Sequence, residues 1–146
     1  MATKVIRNVN DLEKAMKPVL EKMVNEMTER VYKTLNHFLL GYYSSYTPTS
    51  YQRTKALLYS GIKVEAVPCQ AGYRAVVYMD TDSMDSYYQA SGEQVATWAN
   101  EGLYGGYIEG NNTPHVWDDT IDSTINNGDL MKMAKDYLRK AGFTVM

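Results

Sequence analysis

Apolar residues recur at steps of three and four along the first third of the chain. This spacing is typical of an α-helix with one apolar stripe, and it runs from Asn10 to about Tyr42. Three glutamates each stand four residues before a basic residue, an order that supports a helix. The pattern predicts one long helix with this stripe and these pairs: Leu12, Met16, Val19/Leu20, Met23, Met27, Val31, Leu35 and Leu39; Glu13/Lys17, Glu26/Arg30 and Glu29/Lys33.

The ends and the length of this helix lead to three further predictions. Asn10 and Glu13 have the spacing of a capping box, which would start the helix at Asn10. Pro18 lies inside the pattern, so it either kinks the helix or marks its real start. A helix of about 30 residues is about 45 Å long. We expect its far end to project from the domain or to pack on another chain.

Two segments in the middle of the chain alternate between apolar and polar residues with a period of two. They are residues 62–67 and residues 73–79, and the link at residues 68–72 contains proline and glycine. Alternation on both sides of a short link predicts an antiparallel β-hairpin over residues 62–79. Residues 43–61, which contain four tyrosines, then form a connector between the long helix and the hairpin.

Residues 80–128 read as an acidic region of loops and short helices. Ser91 and Gln94 have capping-box spacing and predict a helix through Ala99, which Gly102 would end. Residues 117, 121 and 125 are apolar and four apart, which predicts another short helix, and residues 129–141 predict a last one. The fold class is therefore α+β: one domain over residues 1–146 with a long N-terminal helix, an antiparallel sheet built on a central hairpin, and a C-terminal helix.

Charge is unevenly distributed although the net charge is only −2. Residues 1–74 carry +5, residues 75–131 carry −10 without any Lys or Arg, and residues 132–146 carry +3. The whole-chain charge does not favour a general nucleic-acid binder. Tyrosine is the other deviation, because 13 tyrosines accompany only 2 phenylalanines. Tyrosine suits surfaces that are half apolar and half wet, such as protein interfaces or the edges of a core.

Motifs for catalysis, cofactors or metals are weak. The segment that starts at Asp80 resembles a calcium loop, but it has Asp85 where glycine is needed and Ser91 where glutamate is needed. His115, His37 and the single Cys69 are too scattered for a zinc site. There is no phosphate-binding loop and no nucleophile elbow. We therefore expect no catalytic, cofactor-binding or metal-binding residue, no cofactor and no enzymatic activity. No window is apolar enough for a membrane span, so we expect no membrane partner.

Several residues resemble the neck proteins of tailed bacteriophages, the tail-completion or head–tail joining family. Members begin with a long charged helix, continue through a turn with proline, arginine and serine, and end in strands, a Glu-Gly segment and a helix. The chain matches the turn, the Glu-Gly segment with its preceding asparagine, and the closing region: Pro48, Arg53, Thr54, Leu57 and Ser60; Asn100, Glu101 and Gly102; residues 116–143. It departs from the family over residues 80–115, which are longer and more acidic.

The resemblance implies a structural virion protein of the head–tail junction, made in the bacterial cytoplasm, that acts by assembly without catalysis. Its implied partners are copies of itself in a ring, neighbouring neck and tail proteins, and DNA that passes without specific binding. Three alternatives remain: a tail terminator or minor capsid protein, a small acidic phage protein that inhibits a host factor, and, more remotely, a hydrolase that uses His115 and neighbouring aspartates and needs a bound metal.

Two groups of residues are candidate assembly surfaces. In the connector, Tyr46, Tyr51 and Arg53 would either brace the long helix against the hairpin or face a neighbouring subunit. The acidic group would either meet the basic flanks of the next subunit or line a channel for DNA. Its members are Asp80, Asp82, Asp85, Asp118, Asp119 and Asp122.

Overall fold

A computed structural model describes residues 5, 7–44, 57–70, 72–83, 91–101 and 115–145. Within these ranges one long helix is followed by a hairpin and then by shorter helices, which confirms the α+β class. A turn of π-helix continues directly from the third α-helix. The elements are α1 Val9–Ser44, β1 Gly61–Cys69, β2 Gly72–Met79, α2 Gly92–Glu101, α3 Val116–Ile121, the π-helix Asp122–Asn126 and α4 Asp129–Lys140.

Helix α1 is the element on which the described structure is built. Both strands, α3, the π-helix and α4 pack against it. The buried core lies at the C-terminal end of α1, where Leu35 and Leu39 are fully buried. Tyr42 of α1 and residues from the turn before β1, from α2 and from α3 complete this core; the latter are Leu57, Ala99 and Val116.

The start of α1 differs from the expected capping box. The helix begins at Val9, and the Oδ1 of Asn8 accepts a hydrogen bond from the N–H of Asp11 at 2.8 Å. Asn8 therefore caps the helix and Asn10 does not, because the free N–H groups of a first turn are reached only from the residue that precedes it. Pro18 lies inside the helix, so the alternative that the helix begins near Pro18 is also wrong.

The hairpin is antiparallel, and it is longer and less regular than the alternation predicts. Pro68 and Cys69, placed in the link by the sequence, pair with β2, and Gly72 has a φ of 131° that suits glycine. Val64 pairs with Val76 and Val67 pairs with Arg74, so three steps along β1 match two along β2. This β-bulge interrupts the expected alternation at residues 65 and 66.

The bulge is held by α1. A bulged residue loses its partner in the ladder, so its N–H needs another acceptor. The Oδ1 of Asn25 supplies one, at 2.7 Å from the nitrogen of Ala66. One side-chain amide thus connects the middle of the helix to the irregular point of the sheet.

The layer made by α3 and the π-helix forms over the predicted short helix, and it buries its small residues more fully than its large apolar ones. Trp117 and Ile121 are half-buried, and Ile125 is 51% exposed. The residues just before each of them, Val116, Thr120 and Thr124, are buried. The two threonine hydroxyls donate to the carbonyls four residues earlier, both at 2.7 Å, so their burial leaves no hydroxyl unpaired.

Leu39 and Leu40 provide a matched test of where the core lies. Leu39 is fully buried and Leu40 is 58% exposed on the same helix. We expect Leu39→Ala to lower the free energy of unfolding by about 2–5 kcal/mol, because it leaves a cavity. Leu40→Ala should change it by less than about 0.5 kcal/mol. Urea denaturation of the two variants would measure this, and equal losses would contradict the position of the core.

Asn25 tests the tie between helix and bulge. Asn25→Leu removes the acceptor of the Ala66 N–H, and we expect a loss of about 1–3 kcal/mol because a part-buried donor is left unpaired. Asn25→Asp keeps an acceptor oxygen at the same place and should lose clearly less. Urea denaturation of both variants measures the difference, and an Asp variant as unstable as the Leu variant would show that the hydrogen bond is not what holds the bulge.

Candidate assembly surfaces

The described part of the connector is a tight turn that leads into β1. Leu57 is 3% exposed and packs in the core, and Ser60 is equally buried. The Oγ of Ser60 donates to the carbonyl of Leu57 at 2.7 Å, and the carbonyl of Ser60 accepts from the N–H of Asp80 at 2.7 Å. These two residues therefore hold the hairpin to the core within one subunit. The other candidate connector residues, Tyr46, Pro48, Tyr51, Arg53 and Thr54, lie outside the described residues.

The segment that matches the Glu-Gly motif begins with an asparagine that organises α3. The Oδ1 of Asn100 accepts hydrogen bonds from the N–H groups of Trp117 and Asp118, at 3.1 and 2.9 Å. Sequence reasoning missed this cap, because the two partners lie 17 and 18 residues further along the chain. Glu101 is the last residue of α2, and Gly102 lies outside the described residues.

The acidic candidates fall in two places. Asp80 and Asp82 follow β2, while Asp118, Asp119 and Asp122 lie on α3 and the first position of the π-helix. Asp85 lies outside the described residues. None of these five described carboxylates forms an ion pair with another described residue; Asp122 accepts a hydrogen bond from Asn126 and Asp80 one from the N–H of Ser83.

Ion pairs form both within α1 and between α1 and other elements. Glu13 and Lys17 pair as the sequence predicts, at 3.8 Å, and so do Glu29 and Lys33, at 3.6 Å. The predicted pairing of Glu26 with Arg30 is wrong, because the Nε of Arg30 binds the carboxylate of Asp129 at 3.0 Å, at the start of α4. Arg30 therefore pairs with Asp129, which is distant in the sequence, and not with its neighbour Glu26.

Glu29 also binds Lys63 of β1, a contact that no sequence pattern indicated. The ammonium of Lys63 donates to the Glu29 carboxylate and lies 5.3 Å from the ring centre of Tyr32, a cation–π contact. The hydrogen bond from Lys63 holds the pKa of Glu29 below its usual value, and the hydrogen bond to Glu29 raises the pKa of Lys63. Both side chains remain about one-third exposed.

An apolar groove runs along the middle of α1, and we call it the central groove. Its volume is about 300 Å³. Helix α1 forms the floor, β2 forms one wall, and α3 with the π-helix forms the other. Trp117, Ile121 and Ile125 of the apolar stripe all line this groove. The lining residues are Val24, Met27, Thr28, Val31, Ala75, Val77, Trp117, Ile121, Ile125 and Leu130.

Two further apolar surfaces are incompletely covered. The first turns of α1 and the hairpin tip form a groove of about 400 Å³, and Val9 in it is 80% exposed. In β2, Ala75 and Val77 line the central groove. The opposite, outer face of the hairpin carries Val64, Val67, Val76 and Tyr78, each 40–45% exposed. Polar side chains normally occupy the outer face of such a sheet.

Within the described residues, no cluster of three or more His, Cys, Asp or Glu side chains is arranged to hold a metal ion. No described helix has both the length and the apolar character needed to cross a membrane. His115 precedes α3 with a φ of 71°, and Cys69 is exposed.

A protein-family model with the description YomN matches residues 8–140, which is all but the two ends of the chain. No curated protein and no solved structure matches.

The Glu29–Lys63 pair predicts a pH dependence of stability. A carboxylate with a lowered pKa stabilises the fold above its unfolded pKa of about 4.5, and this contribution is lost as the pH falls through the lower folded value. Glu29→Gln should therefore lower the melting temperature at about pH 7, and the difference from wild type should shrink towards about pH 3. Thermal melts across this range measure it. In a Lys63→Met background the same substitution should have a much weaker pH dependence, and an equally strong one there would contradict the assignment.

Proposed function

Because the chain belongs to the YomN family, a family of phage and prophage proteins, we propose that it is a structural virion protein of the head–tail junction. In this proposal it is a neck or tail-completion protein, and it acts by oligomeric assembly without catalysis. The phage origin rests on the family. The place at the junction rests on the resemblance carried by the turn and Glu-Gly segments.

The observation that carries the assembly role is the length of α1. Its 36 residues make a helix about 54 Å long. A compact domain of 146 residues has a radius of gyration of about 15 Å and is about 38 Å across. The helix therefore extends beyond what one such domain can cover.

Burial along α1 agrees with this. No apolar side chain from Val9 to Val31 is fully buried, and full burial of apolar side chains begins at Leu35. Together with the half-exposed outer face of the hairpin, this leaves a long run of apolar surface on one chain. Soluble monomers rarely leave large contiguous patches of this kind, which are typical of surfaces that associate. These features support a protein that completes its packing by binding other subunits.

Deletion of the gene from the phage or prophage would test the proposal. We expect filled heads and separate tails in electron micrographs, because a missing joining protein leaves both parts intact but unattached. Plaque formation should fall by orders of magnitude, and expression of the wild-type chain in the host should restore it. Mass spectrometry of purified wild-type particles should detect the chain in a fixed number of copies per particle.

The alternatives give different results in the same experiment. Tails of irregular length would indicate a tail terminator, and malformed heads would indicate a minor capsid protein. Normal, infectious particles that lack the chain would overturn the virion role and favour a protein that acts on a host factor. As a matched control for folding, complementation with Leu40→Ala should restore plaques, provided that this exposed side chain lies outside the contacts between subunits.

A further inference from the structure

We propose that copies of this chain associate head to tail, with the first turns of α1 of one copy seated in the central groove of the next. The inference rests on the proposed assembly role and specifies the surfaces that carry it. It follows from the positions of the charges, from the exposed apolar residues and from the geometry of α1.

The fold brings some basic residues from each of the two basic parts of the sequence to one end of the molecule. Helix α4 runs back along α1, so that Tyr137, Lys140 and Ala141 line a shared groove with Pro18 and Lys22. The N-terminal turns of α1 and the C-terminal turn of α4 thus form one basic end. Its cations without an ion pair among the described residues are Arg7, Lys14, Lys22 and Lys140.

Acidic residues at this end do not cancel the charge. Glu13 is paired with Lys17, and Asp136 is paired with Arg139. Asp11, Glu21 and Glu26, which lines the same groove as Lys22 and Lys140, remain against the four unpaired cations. The basic end therefore keeps an excess of positive charge.

The central groove has the opposite charge beside it. Asp118 and Asp122 each follow a residue that lines the groove, and both are exposed on the solvent side of that wall. Asp119 lies between them, and Asp118 and Asp122 are four residues apart, a like-charge spacing that weakens a helix. These three carboxylates, the acidic face, have no cation partner among the described residues. A basic partner would relieve their repulsion.

The apolar parts of the two surfaces also match. At the basic end Val5 is 68% exposed, Val9 is 80% exposed and Leu12 is 38% exposed. In the groove Ile125 is 51% exposed and lies beside the half-buried Trp117 and Ile121. If the apolar residues of the basic end of one copy sat in the groove of the next, they would cover the exposed side chain of Ile125. Arg7 and Lys14 would then lie near the acidic face. Apolar contact would supply affinity, and the charges would fix direction and exclude wrong registers.

The occupant has to come from another copy. The floor of the groove is formed by Val24 to Val31 of α1, and Val9 begins the same continuous helix. Val9 and Val24 are therefore about 22 Å apart along the helix axis, and the first turn cannot fold back into the groove. A contact between two different surfaces is heterologous, and it closes into a ring when the rotation between subunits allows it.

Paired charge reversals test this contact. Asp118→Lys/Asp122→Lys reverses the acidic face, and Arg7→Glu/Lys14→Glu reverses the basic end. Each variant alone should associate at least about tenfold more weakly than wild type, because like charges then meet across the contact. Mixing the two variants should restore association, since each altered surface then faces its complement. The readout is native mass spectrometry and light scattering at low salt, with weakening at about 1 M salt.

Controls carry the same change in net charge at other exposed positions. Glu65→Lys/Glu93→Lys matches the first variant, and Arg74→Glu/Lys132→Glu matches the second; both should associate as wild type does. Circular dichroism of every variant checks folding. A third variant, Val9→Asp, should weaken association without lowering the melting temperature, because Val9 is exposed in the single chain.

The outcomes separate this inference from the proposed function. A wild type that stays monomeric at every concentration and salt overturns the head-to-tail contact, and so do oligomers that the charge reversals leave unchanged or that mixing fails to restore. Either result leaves the virion role to the deletion experiment. Loss of association in each variant, restored on mixing, supports the contact even if the deletion places the protein elsewhere in the particle.

Discussion

The need to cover one long apolar stripe on α1 governs the rest of the structure. A two-stranded hairpin is not stable by itself, and short helices are marginal in water, so each gains its stability by packing on α1. The hydrogen bonds and ion pairs between elements also start from residues of α1. Asn25 holds the bulge of β1, Glu29 binds Lys63 of the same strand, and Arg30 binds Asp129 at the start of α4. Three residues within two neighbouring turns of one helix thus fix the position of the sheet and of the last helix.

The same constraint explains why so much apolar surface stays open. The described elements bury Leu35 and Leu39 near the C-terminal end of the 36-residue helix α1, whereas its apolar side chains from Val9 to Val31 are at most partly covered. The central groove is what remains between β2 and α3 where neither reaches across α1. An elongated subunit with an open groove, a basic end and an acidic face is suited to repeated contact with its own copies.

Sequence reasoning succeeded where the signal was local and periodic. The long helix, the hairpin, the last helix and the cap formed by Ser91 and Gln94 were predicted, and the structure contains them. It failed where several residues could satisfy the same local rule. Asn8 caps α1 instead of Asn10, and Arg30 binds Asp129 instead of Glu26. Of the candidate site, the described residues contain the buried Leu57–Ser60 turn, Glu101 at the end of α2 and five of the six aspartates.

The sequence by itself determined the order and type of the elements and the segregation of charge along the chain, because both depend on residues near one another in the sequence. Only the tertiary structure decided which face of each element is buried. Trp117, Ile121 and Ile125 form the apolar stripe of this region and line the central groove, yet Thr120 and Thr124 are the fully buried positions, and their hydroxyls are satisfied within the helix. Tertiary packing also brought Lys22 and Lys140 to one end, since α4 runs back along α1, a direction that no local pattern contains.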